Sequence, residues 1–190
     1  MNMRRALPVC AATLILGGCA ASPYGTPPDT SDPWELVHSA RAWLEKGRPR
    51  GALPSLHQAQ RNLEGLDPQG REYRHLEAAI MNEYGRVYEM TSNLVQAEAA
   101  LREADRISLS IPEIRPLALD ITYNLSTVLE RQNRPGESCE YLRRAHATII
   151  DLGETPSPPP EGYGGHRQTF IDQTVMPRIE ARANRIDCRL

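Results

Sequence analysis

"LSTVLERQNRPGESCEYLRRA", residues 125–145, decides the fold once two other stretches are set beside it. They are "YGRVYEMTSNLVQAEAALREA" (84–104) and "SARAWLEKGRPRGALPSLHQA" (39–59), and all three align without a gap. They agree where sterics demand it. A small residue stands second in each frame (Ala40, Gly85, Ser126), and a large apolar one follows three residues on (Trp43, Tyr88, Leu129). Next come a residue that tolerates a turn (Gly47, Ser92, Asn133) and a second small position (Ala52, Ala97, Ser138). A leucine (Leu56, Leu101, Leu142) and an alanine (Ala59, Ala104, Ala145) complete the frame. This pattern describes two antiparallel helices. Small residues let the axes approach and the large one fills the space beside them. Gly47 and Asn133 suit the positive φ that ends a helix. Pro49 and Pro135 then open the next one, where a missing N–H costs little.

Outward from the frames, apolar residues recur at three- and four-residue steps from Trp34 to about Leu152. Tyr73, Leu76, Ile80, Tyr84 and Val87 form one such stripe; Ile114, Leu117, Ile121, Leu125 and Val128 form another. Each lies on a single helical face. No comparable run alternates with period two, so the expected class is all-α.

"KGRPRGAL" and "NRPGESC" resemble the inter-helix turn of the tetratricopeptide repeat (TPR), although the frames step by 45 and 41 residues where that family uses about 34. The resemblance implies a helix–turn–helix solenoid of about three units over residues 33–152. A Pro/Gly-rich linker is expected at 153–166 and a C-terminal capping helix at 167–190. In that helix Phe170, Ile171, Val175, Ile179, Ala183 and Ile186 make the stripe, and Pro177 kinks or restarts it. TPR proteins bind peptides or helices on the concave face lined by the first helix of each pair. Carried over, that face holds Val37, Arg41, Leu44 and Glu45, then Asn82, Arg86, Glu89 and Met90, then Tyr123, Thr127, Glu130 and Arg131.

The start of the chain carries a different signal. Met1 to Arg5 is basic, Ala6 to Leu16 is apolar, and two glycines follow: the order of a secretory signal, expected at 1–18. Leu16-Gly17-Gly18-Cys19 resembles the lipobox of bacterial lipoproteins. That implies a diacylglyceryl group on the Cys19 sulfur, a palmitate-type chain on its amino group, and stable membrane anchoring. Ala20, where inner-membrane members tend to carry aspartate, implies the periplasmic face of the outer membrane of a Gram-negative cell. Residues 19–32, rich in Pro, Ser, Thr and Gly, are expected to form a disordered tether.

Of four cysteines, Cys10 would leave with the signal and Cys19 would be acylated. Cys139 and Cys188 remain, and an even remainder in an oxidising compartment suggests a disulfide. The alternative is one buried thiol and one at a frayed terminus.

Losing Arg4 and Arg5 takes the formal charge from −2 to −4, which offers nucleic acid no attraction. His38, His57, His75, His146 and His166 lack metal-ligand spacing. Glu98, Glu103 and Asp105 read as a solvated face, and no serine sits on a strand–turn–helix elbow. No catalytic residue, metal or cofactor is expected. The expected function is a non-catalytic scaffold or adaptor. Its partners would be another envelope protein or peptide segment, and the membrane through its lipid. A pilot or assembly lipoprotein for a secretion or pilus channel, and a self-associating structural lipoprotein forming a homo-oligomer, are the alternatives.

Overall fold

Asp32 starts the first helix. Its Oδ1 accepts the Trp34 N–H at 2.8 Å, satisfying one of the donors that every helix start leaves unpaired. The computed structural model describes residues 27–154 and 175–190, among which every regular element is a helix and there is no strand. Helix α1 spans Pro33–Glu45, α2 Pro49–Asn62, α3 Arg71–Met90 and α4 Leu94–Ser108. Helix α5 spans Arg115–Arg131, α6 Pro135–Glu154 and α7 Met176–Arg185.

The three frames meet the same turn. Gly47, Ser92 and Asn133 have φ of 69°, 61° and 61°. After each, an N–H reaches back five residues to close the helix end: Arg48 to Trp43 O (3.0 Å), Asn93 to Tyr88 O (2.8 Å) and Arg134 to Leu129 O (2.9 Å). The turn folds α1 onto α2, α3 onto α4 and α5 onto α6. Between pairs, α2 meets α3 and α4 meets α5, while α1, α3 and α5 also touch in succession along one side.

The small frame positions are where helices approach. Ala40, Ala52, Ala97, Ser126 and Ser138 are wholly buried, as are Leu56, Leu101, Leu142 and the alanines that follow them. Gly85 is the extreme case, because a Cβ there would lie 2.4 Å from Leu101 Cγ. Charged groups staple the far side. Arg134 bonds Glu98 at 2.7 Å, and Arg144 grips the buried Asp105 with two bonds of 2.9 and 2.7 Å. These tie α4 to α6.

Helix α6 continues through Glu154, two residues beyond the expected end of the helical array at 152. The expected signal peptide and Cys19 lie outside the described residues. So do most of the expected tether, most of the linker and the first part of the expected capping helix. Residues 27–32 form no helix, yet Gln58 and Asn62 on α2 donate to the carbonyls of Thr30 (3.1 Å) and Ser31 (2.8 Å). The tether therefore has a defined end on the body. Among the described residues no helix is long and apolar enough to cross a membrane.

Candidate functional site: the face shared by α1, α3 and α5

Glu83 is the centre of this face, and its side chain is 0% exposed. A buried carboxylate must be paired or it loses its charge, and here two helices supply arginines. From α1, Arg41 donates Nε (3.0 Å) and Nη2 (2.8 Å) to Glu83 Oε1. From the next turn of α3, Arg86 Nη1 donates to Oε2 at 2.7 Å. Asn82 Nδ2 stands 3.5 Å from Oε1, and Asn124 on α5 donates to Asn82 Oδ1 at 3.0 Å. One polar chain thus runs through three successive helices. The guanidinium-bearing side chains remain partly open, 31% for Arg41 and 27% for Arg86.

Asp120 completes the group from α5. Its surface is exposed, yet protein atoms crowd around it densely. The residue is open to water on one side and packed by protein on the other, and the open surface governs screening. Burial raises its carboxyl above the usual aspartate range; Arg41 opposes this, Glu83 adds to it and Arg86 opposes it. Asp120 thus shares one electrostatic neighbourhood with Glu83, Arg41 and Arg86.

The expected groove residues divide sharply. Val37, Leu44 and Asn82 are buried, at 1%, 3% and 1%, and they do not line a free surface. This corrects the expectation. Val37 and Leu44 lie on the stripe by which α1 packs into the main core with Leu36 and Ala40, and Asn82 is locked between helices. Glu89 and Arg131 pair with each other, and Arg131 also donates to Glu89 O at 2.7 Å. Tyr123, Thr127 and Glu130 are engaged by α7. Glu45 and Met90 are exposed at the ends of α1 and α3, with Met90 at 38%.

No family model, curated protein or solved structure matches this chain.

Glu83, Asp120, Asn124 and Arg182 were missed in the sequence. One signal does point to the seam. The pairs Arg41–Glu83, Asn82–Asn124 and Glu89–Arg131 all bridge 42 residues, between the two frame steps. Complementary polar residues at that separation mark neighbouring first helices.

Cys139 on α6 and Cys188 just after α7 stand at bonding distance, S–S 2.02 Å with Cα atoms 5.4 Å apart. Helix α7 ends like α1, α3 and α5. Asp187 takes φ 54°, and the Cys188 N–H reaches Ala183 O at 2.8 Å. Arg185 pairs with Glu130 on α5 as Arg131 pairs with Glu89 on α3. Beside α7 and α6 opens a hollow of about 430 Å³ with a polar lining that includes His146, Glu180, Asn184 and Asp187. Among the described residues, no group of three His, Cys, Asp or Glu is placed to hold a metal.

Proposed function

We propose that this chain is a non-catalytic adaptor: a TPR-like solenoid of about three helical hairpins, lipid-anchored through Cys19 at the periplasmic face of the outer membrane. Its face formed by α1, α3 and α5 binds a polar segment of another envelope protein. Four recurrences of one helix-ending turn, and first helices that touch in succession, support the solenoid reading. The observation that carries the binding reading is the charge cluster of this face, where buried Glu83 holds Arg41 and Arg86 with their guanidinium-bearing side chains still partly exposed, and Asp120 lies within their electrostatic reach. The arginines are pre-aimed by buried Glu83, so they bind a partner carboxylate with little ordering cost, while Asp120 takes a cationic group beside it.

A photo-crosslinking residue placed at Asp120 in the native cell is expected to give one discrete adduct, lost on Arg86→Ala. The same residue at exposed His57 on α2 gives none. Equal labelling at both positions would rule the face out. Because the Asp120 carboxyl is raised, its charge is lost at a higher pH than that of an ordinary aspartate. Partner affinity should therefore fall as pH is lowered through that range, and Asp120→Asn should remove the dependence.

A further inference from the structure

Helix α7 is seated by three separable contacts. Ile179 and Ala183 enter an apolar strip with Leu119, Leu142, Ala145, Ile149 and Leu152 of α5 and α6. Arg182 lies over the Tyr123 ring at 4.8 Å and donates to Thr127. Arg185 gives Glu130 two bonds, of 2.8 and 3.2 Å. The seat therefore reads a defined pattern: apolar residues four apart on a helix, with arginines three and six after the first. It suits arginine in particular, because a ring face and a carboxylate meet a flat guanidinium together.

Its present occupant fills it incompletely. Arg182 Nε is buried with no hydrogen-bond acceptor among the described residues, 3.5 Å from the nearest Glu130 oxygen. That donor is met only by the Glu130 charge at 3.5 Å, which makes it the loosest contact in the seat. Among the described residues α7 has 10 residues, and Val175 before it is also helical. The Cys188 link to α6 holds it at high effective concentration.

We propose that the α5–α6 face is a binding seat for an arginine-bearing amphipathic helix of a partner protein. The oxidised chain fills this seat with α7, and reduction of Cys139–Cys188 opens it. A dithiol supplies the two electrons and two protons. Its thiolate attacks the half-buried Cys139 sulfur and Cys188 leaves as a thiol; its second thiol then attacks the mixed disulfide, Cys139 leaves as a thiol, and the reductant departs as its own disulfide. The seat shares α5 with the α1–α3–α5 face but uses Tyr123, Thr127 and Glu130 rather than Glu83 or Asp120, so this reading survives if the Glu83 centre binds nothing.

The probe is a fluorescent peptide of residues 175–190 with Ser in place of Cys188, titrated against the purified chain with and without dithiothreitol. The reduced chain should bind at least about tenfold more tightly than the oxidised one, and Glu130→Gln should cost the reduced chain about tenfold. Replacing both peptide arginines with glutamine should abolish binding. Equal binding in both redox states, or indifference to Glu130→Gln, overturns the proposal. Hydrogen exchange provides a readout that needs no peptide: reduction should speed exchange in α7 and leave α3 unchanged. Unchanged protection of α7 overturns the gate. A reduced chain that becomes a dimer, from which the peptide cannot compete, assigns the seat to a second copy and overturns the partner.

Discussion

Glu83→Ala is expected to destabilise the fold by about 3 kcal/mol, read as a drop in the urea midpoint at unchanged slope. Glu83 is completely buried and holds Arg41 of α1 and Arg86 of α3 at once. Removing it leaves two guanidiniums facing each other across a void. Both are partly solvated already, so they turn outward and recover some hydration, which places the cost at the lower end of the ~3–5 kcal/mol range for breaking a buried pair. Glu83→Gln keeps an acceptor and should cost less. The triple change Arg41→Met, Glu83→Leu, Arg86→Met removes the desolvation penalty together with the pairing, and should lie closer to wild type than Glu83→Ala does. If Glu83→Ala melts like wild type, the carboxylate does not tie α1 to α3.

Leu101→Ala should cost about 3–5 kcal/mol, because a wholly buried leucine is removed where little can collapse inward. Its neighbours are Ala97 on its own helix α4 and Leu125, Val128 and Leu129 on α5. Gly85 is in direct contact. Gly85→Ala alone drives its new methyl to 2.4 Å from Leu101 Cγ. The resulting strain of about 1–3 kcal/mol outweighs the ~1 kcal/mol that alanine gains over glycine within a helix. In the double variant the methyl enters the space that Leu101 vacated. The two changes should then sum to about 1–2 kcal/mol less than their separate costs. Strict additivity in calorimetry would mean that α3 and α4 do not meet at this pair.

What was legible in the sequence was whatever sterics dictate locally. Gly47, Ser92 and Asn133 were identified as turn residues and all take positive φ; the small frame positions were identified as close approaches and all are buried. These demands are met within one hairpin, so a single stretch carries the whole signal. The recognition face was less legible. Val37 and Leu44 share helical spacing with Arg41 and Glu45, and spacing alone cannot say where a neighbouring helix closes over the stripe. The centre at Glu83 depends on how far α1, α3 and α5 slide past one another, which the packing of α2 and α4 decides. A glutamate among apolar neighbours then reads as a surface residue until its two arginines arrive from elsewhere.

The sulfur bridge after α7 gives the molecule a mechanical direction. It fastens the last helical pair to the end of the chain, whereas α1 and α2 carry no cysteine and make their main contacts with each other and with α3. A pull applied at the amino-terminal end meets the unfastened hairpin first. That hairpin peels away as a unit while the far end stays shut, so tension is relieved in order, from one end of the array to the other.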